Sequence, residues 1–287
     1  MRTPPAHLAV LLHLMGIFIR DPQVSCFTEI SLDMAPNSVD DQYEGCADGA
    51  RLEDPIYTDF ANNETYAKIW QDAKSNLSHM AHPSLPSDFK PEYGIAILTY
   101  TDNQVYEVFN EAVRNGGQSQ QYYYSNFTFK SFHFLLTRAL QVLKKTTKPE
   151  CYTVYRGVRD IRFTVSKSQK IVRLGQFSSS SLTRKSALRF GNDTFFTIYT
   201  CLGVSIENLS LHPEQEEILI PPYETFTVIN STEKFIALHH KGSHSNFNCG
   251  CKSAAAGLSR FSATLPTPVL VGGFLLLAGA LGSPSIF

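Results

Sequence analysis

The chain has 287 residues, 43% of them hydrophobic and 18% charged, with a formal net charge of -1. That is enough apolar material for a sizeable core with no obligatory staple. The near-neutral balance and the lack of a basic block exclude nucleic-acid binding through phosphate neutralisation.

At the start, Arg2 precedes an apolar run from Leu8 to Ile19, and Val24-Ser25-Cys26 follow. This is the form of a secretory signal peptide over residues 1–26; at roughly 12 residues the apolar run is too short to span a bilayer. At the other end, Ala254-Ala255-Ala256-Gly257 are small, Leu258 to Pro268 is mostly polar, and Val269 to Leu281 is apolar and uncharged. Small residues, spacer and apolar tail predict a GPI-attachment signal over 254–287, removed on maturation. A spanning tail is the rival, and no Lys or Arg follows the run to act as a cytoplasmic stop. The expected location is the extracellular face of the plasma membrane, reached through the secretory pathway and held by a lipid anchor.

Six Asn-x-Ser/Thr acceptor motifs agree with secretion: Asn63, Asn76, Asn126, Asn192, Asn208 and Asn230. The six cysteines are Cys26, Cys46, Cys151, Cys201, Cys249 and Cys251. In an oxidising compartment such wide spacing predicts disulfides, and Cys249-Gly250-Cys251 is too tight for a zinc knuckle. No metal is expected. If Cys26 leaves with the leader, five cysteines remain and one is unpaired or bonded between chains.

Between the two ends, residues 27–253 read as one domain of about 225 residues with no internal repeat. A helix is predicted from about Asp54 to Met80, from the recurrence of Tyr57, Phe60, Tyr66, Ile69, Trp70 and Ala73. Three prolines from His82 to Pro91 break it. Gly94 to Tyr100 is an apolar run of strand length. Val105, Phe109, Ala112 and Val113 predict a second helix, capped by Thr101 or Asp102 and stopped by Gly116-Gly117. A third runs from Lys130 to Lys145, where His133 and Arg138 read as surface or satisfied polar contacts. Strands are predicted near Tyr152–Val158, Lys170–Phe177, Phe195–Cys201, Glu217–Ile220, Glu224–Ile229 and Phe235–His240, with a short helix from Thr183 to Phe190. Helices first and strands later predict an α+β domain. There is no GxGxxG, no P-loop and no HExxH.

Three polar stations interrupt the apolar strands. Arg156 lies in Val154-Tyr155-Arg156-Gly157, and an arginine inside a strand calls for an anion. Gly157 allows close approach of a ligand to the backbone. Ser178 to Ser181 follow Leu174-Gly175-Gln176-Phe177, at a strand end before a helix start. The third station is the acidic cluster Glu214-Gln215-Glu216-Glu217 ahead of Ile218-Leu219-Ile220.

In this order the stations resemble the R-S-ExE mono-ADP-ribosyltransferases of the vertebrate cell surface. The likeness spans Asp40-Asp41-Gln42-Tyr43-Glu44-Gly45-Cys46 to Asn248-Cys249 and includes Tyr155-Arg156-Gly157-Val158, Arg173 to Leu182, Phe190-Gly191-Asn192, Thr200-Cys201-Leu202-Gly203 and Glu217 to Pro222. It implies a helical N-terminal part and two roughly perpendicular β-sheets flanking an NAD cleft, with Cys46–Cys249 and Cys151–Cys201 disulfides. NAD+ is then a substrate, with no permanently bound cofactor, and the acceptors are proteins with exposed arginines. The resemblance makes Arg156, Ser179 and Glu217 catalytic, and Arg156, Gly157, Ser179 and Phe190 the NAD-binding residues. Cleaving the nicotinamide–ribose bond passes through an oxocarbenium-like state, which a carboxylate stabilises.

The departure from the pattern is Gln215. Counting back from Ile218 gives Gln215-Glu216-Glu217, so the first glutamate of the pair is a neutral amide. Glu214-Gln215-Glu216 is the alternative register, and on a strand one residue reverses the face. In the preferred register, hydrolysis of NAD is expected to outrun transfer to arginine. The rival from another class is a catalytically weak surface antigen or binding protein on the same fold.

Overall fold

The computed structural model describes residues 27–47, 55, 57–80 and 85–252. The leader and the attachment signal expected from the sequence lie outside the described residues. Strand β1 (Thr28–Ser31) is followed by helices α1 (Glu64–His79), α2 (Pro91–Tyr100), α3 (Tyr106–Asn115), α4 (Gln120–Asn126) and α5 (Lys130–Lys144). Then come β2 (Tyr152–Val158), β3 (Ile161–Thr164), β4 (Ile171–Arg173), β5 (Ser178–Ser181), α6 (Arg184–Leu188), β6 (Thr194–Thr200) and β7 (Val204–Ser205). Two 3-10 turns, Glu207–Leu209 and Pro213–Gln215, lead into β8 (Glu217–Ile220), β9 (Glu224–Ser231), β10 (Phe235–Ser243), β11 (Phe247–Asn248) and β12 (Cys251–Lys252). Apart from the leading β1 and the short α6 among the strands, the α+β order, helices before strands, holds.

Local chemistry sets the boundaries. Helix α1 begins where Asn63 accepts the Tyr66 N–H at 3.0 Å, later than the apolar spacing suggested, because residues 57–62 form turns. The run Gly94–Tyr100 is helical, not the predicted strand. Pro91 sits in the first turn of α2, where a missing N–H costs nothing. Tyr93 to Tyr100 are all buried, and a helix with no polar face carries no 3.6-residue signal. Helix α3 starts at Val105 without a side-chain cap; Asp102 instead accepts the Gln104 N–H at 2.8 Å in the preceding turn. The unpredicted α4 is only 7 residues long and is capped by Ser119. Ser178 to Ser181 do not merely end a strand. They are β5 itself, and Ser180 stays buried by donating to the Ile218 carbonyl at 2.7 Å.

Eight strands pair in the order β4-β9-β10-β6-β2-β5-β8-β7. Strand β2 pairs with β6 along its whole length, from Tyr152↔Thr200 to Val158↔Thr194. Strand β5 pairs with β8 from Ser178↔Ile220 to Ser181↔Glu217. These two wings meet at a single residue pair, Tyr155 with Ser181. On either side of that pair β2 and β5 are free to splay, which makes room for a cleft within the sheet.

Two cores hold the wings. Trp70, Phe109, Phe132, Phe177 and Leu219 belong to a core built mainly by the helices, and Val154, Phe196, Ile198, Ile218, Ile220 and Phe226 to a second one within the sheet. Strand β8 feeds both, with Leu219 on one side and Ile218 and Ile220 on the other.

The two ends of the described chain are tied together by buried ions. Arg173 pairs with Asp40, both fully buried, and also donates to the carbonyls of Met34, Ala35 and His244. Asp40 accepts the backbone N–H groups of Asn246 and Phe247 at 2.8 and 2.9 Å. Asp41 accepts those of Tyr43, Cys249 and Gly250. The disulfide Cys46–Cys249 crosslinks the same two segments, and Cys151–Cys201 joins the ends of β2 and β6. Among the described residues Cys251 has no disulfide partner and is exposed.

His133 is a satisfied core residue. Its Nε2 lies 3.1 Å from the Val39 carbonyl and its Nδ1 2.8 Å from the Tyr43 hydroxyl, so the ring is neutral, donating from Nε2 and accepting at Nδ1. Burial pulls its pKa down to about 4. The unfolded chain therefore takes up a proton near pH 6.5 that the folded chain refuses. This part of the stability is complete above about pH 6.5 and is lost as pH falls toward 4, a total of roughly 3 kcal/mol. His133→Gln is expected to flatten the fall in stability over that window in denaturant titrations; an unchanged slope would contradict the assignment.

Candidate active site

A cavity of about 840 Å³ opens where β2 and β5 part. That is the size of a pocket for a drug-sized or dinucleotide ligand. Arg156, Gly157, Ser179, Phe190, Gln215 and Glu217 all line it.

Arg156 comes from β2, next to the pair that joins the wings. Its Nη1 donates to the Ser179 carbonyl across the gap at 2.6 Å. Burial pulls its pKa down and the nearby Tyr100 and Glu217 push it back up; a guanidinium keeps its proton under such loads. The remaining donors of the fork suit a diphosphate.

Glu217 opens β8 and pairs with Ser181. It is 5% exposed, and its Oε1 is buried without a hydrogen-bond partner. Burial raises its pKa, while the Ser179 hydroxyl and the Arg156 charge pull it back. An unpartnered carboxylate oxygen in a dry wall is costly unless a ligand completes it.

Of the two registers open from sequence, the backbone places Glu217 in the strand and Glu216 before it. Glu216 has φ 48°, the left-handed conformation, and its N–H bonds back to the Pro213 carbonyl at 3.1 Å. Gln215 and Glu217 line the cavity, whereas Glu214 is exposed. The Gln215 turn is anchored, because its carbonyl accepts the Ser181 hydroxyl at 2.8 Å and the Leu182 N–H donates to the Glu216 carbonyl at 3.3 Å.

Gly157 is required by packing as well. A Cβ there would stand 2.3 Å from the carbonyl oxygens of Ala187 and Gly191, so a side chain would push α6 and the Phe190 segment off β2. Phe190 itself is 51% exposed at the cavity wall. At that exposure it is not a core residue.

Residues 32–246 match the family described as NAD:arginine ADP-ribosyltransferase. The chain belongs to this family. It is 45% identical over 229 residues to the erythroblast NAD(P)(+)–arginine ADP-ribosyltransferase of Gallus gallus, covering 77% of this chain and 76% of that one. It is 44% identical to the GPI-linked NAD(P)(+)–arginine ADP-ribosyltransferase 1 of Homo sapiens, covering 77% and 74%. The crystal structure of the eucaryotic mono-ADP-ribosyltransferase ART2.2 is similar with a TM-score of 0.68 and 38% identity, over 77% of this chain and 98% of that one. Mutants of ART2.2 have been solved in complex with NADH and with NAD.

The cavity has a supporting layer that the sequence did not reveal. The Tyr100 hydroxyl donates to the Phe177 carbonyl at 3.1 Å, accepts the Asn110 side-chain N–H at 3.1 Å and lies 3.4 Å from the Ser179 hydroxyl. Burial pushes the Tyr100 pKa up to about 12, with Glu217 adding to the rise, so the phenol stays protonated. This bracket holds the start of β5 against α2 and α3. Reading Gly94–Tyr100 as a strand hid it. Pro91 as a helix start was the available signal. Among the described residues no cluster of three metal-ligating side chains occurs.

Tyr100→Phe keeps the ring, which packs 6.2 Å from Phe109 and 6.1 Å from Phe177 between centroids. It leaves the Asn110 N–H without its acceptor. Chemical denaturation is expected to show a loss of about 1–3 kcal/mol; an unchanged midpoint would mean that the bracket carries no energy.

Proposed function

We propose that the chain is a cell-surface mono-ADP-ribosyltransferase that cleaves the nicotinamide–ribose bond of NAD+ and passes ADP-ribose to protein arginine or to water, with hydrolysis favoured. The observation that carries this reading is the convergence of Arg156, Ser179 and Glu217 on one cavity with Gln215 beside them. Family membership and NAD-bound relatives support it.

The chemistry follows from the residue types. As the C1′–N bond breaks, its electron pair goes to the pyridinium nitrogen and nicotinamide leaves neutral. The positive charge left on the ribose faces Glu217. A carboxylate stripped of water acts more strongly on that charge than a hydrated one. Arg156 holds the pyrophosphate, and Ser179 orients Arg156, Glu217 and the nicotinamide ribose. Phe190 stacks on the nicotinamide ring, and the Gly157 backbone meets its amide. Gln215 can neither take a proton from an acceptor guanidinium nor balance its charge. Water therefore competes well.

Residues 1–26 act as the leader and 254–287 as the lipid-attachment signal, a reading supported by relatives named GPI-linked. The side chains of Asn76, Asn126, Asn192, Asn208 and Asn230 are exposed and Asn63 is half-buried, which suits glycosylation.

Labelled NAD+ with and without a small arginine analogue tests the reading. Free ADP-ribose is expected to dominate in the unaltered protein. Gln215→Glu should raise transfer relative to hydrolysis by about tenfold or more, and Glu217→Ala should lower NAD turnover on the order of 10²–10³-fold. Abundant arginine labelling by the unaltered protein would overturn the role given to Gln215. Full turnover by Glu217→Ala would overturn the site.

A further inference from the structure

The turn that carries Gln215 also carries an imidazole that the three catalytic stations do not use. His212 lines the same cavity as Gln215 and Glu217. Its Nδ1 lies 3.9 Å from the Glu214 carboxylate, with the two side chains 37% and 61% exposed. Nε2 has no hydrogen-bond partner among the described residues.

The backbone around His212 is fixed. Its N–H donates to the Ser210 hydroxyl at 3.0 Å, and its carbonyl accepts the Gln215 N–H at 3.0 Å. Pro213 restricts the next φ angle. One residue before, the Leu211 N–H donates to the Thr101 hydroxyl at 3.2 Å. The ring is thus carried on a pinned turn, not on a free loop.

An imidazole on a pinned turn in the cavity wall, with both ring nitrogens free of hydrogen bonds among the described residues and a carboxylate 3.9 Å away, can serve as a general base. The other two residues of this stretch that line the cavity, Gln215 and Glu217, do not supply one. The Gln215 amide has no basic lone pair, and Glu217 is occupied with the ribosyl cation. A nucleophile attacking C1′ must lose a proton. We propose that His212 takes it, with the Glu214 carboxylate, 3.9 Å from Nδ1, favouring the imidazolium through its charge. The nucleophile is water. Its oxygen bonds to C1′, nicotinamide departs with the electron pair of the old bond, and one water proton passes to His212 Nε2 and then to solvent. The products are ADP-ribose, neutral nicotinamide and a proton. This rests on the reading of Glu217 given above.

The test compares the full chain with His212→Gln, His212→Ala, Glu214→Gln and Glu217→Ala, measuring kcat and KM for NAD+ hydrolysis. His212→Gln is expected to lower kcat on the order of 10²-fold with KM for NAD+ unchanged. Added imidazole should restore part of the His212→Ala rate, and Glu214→Gln should show a smaller fall in kcat alone. Wild-type kcat in His212→Gln, a fall matched by a rise in KM, or no rescue by imidazole would overturn the proposal. Glu217→Ala separates the two readings. If it is inactive while His212→Gln is unimpaired, only the base assignment falls. If Glu217→Ala turns over NAD+ like the unaltered chain, or if the unaltered chain consumes none, the underlying reading falls with it.

Discussion

The alternation of Ile218, Leu219 and Ile220 between two cores is the constraint on which the rest depends. Leu219 packs with the helices and its two neighbours pack within the sheet. A slip of one residue would put each on the wrong side, so the register of β8 is set by burial on both faces. That register fixes which glutamate enters the strand. Glu217 is held opposite Ser181, and Glu216 is left in a left-handed turn. The polar geometry of the cavity is therefore decided by apolar packing next to it.

The cleft has an equally simple origin. Two wings of one sheet share a single pair of residues, Tyr155 and Ser181. Strands that are not bonded to each other along their length can diverge, and the polar groups exposed there need partners. Arg156 and the Ser179 carbonyl meet across the gap. The Tyr100 bracket ties the same stretch to the helices. What remain uncompleted in the cavity wall among the described residues are the Glu217 Oε1 and the Asn110 Oδ1. Buried acceptors left open in a cavity wall suit a ligand that carries positive charge or a donor.

Much of this was legible in the sequence, because the signals were local. Strands β2, β8, β9 and β10 alternate or form short β-branched runs, and α5 has a clear apolar face. Arg156, the run Ser178–Ser181 and the acidic cluster before Ile218 stood out as polar stations among apolar strands, and the family resemblance singled out Ser179 and Glu217 within them. What the sequence hid were features with no local signal. The fully buried α2 has no polar face to betray its period, so Tyr100 was placed on the wrong kind of element. The hydroxyls of β5 read as a strand end because the carbonyl that accepts Ser180, on Ile218 of β8, lies 38 residues away. The buried Asp40–Arg173 pair joins positions 133 residues apart, and only the folded chain brings them together.

The central claim is that NAD+ lies in this cavity with its reacting ribose at Glu217. The most direct measurement is a crystal structure of the Glu217→Ala protein with NAD+. The account predicts the pyrophosphate on Arg156, the nicotinamide ring over Phe190 and the adjoining ribose facing position 217. Density for NAD+ with that ribose turned away from position 217, or NAD+ bound outside the cavity, would contradict it.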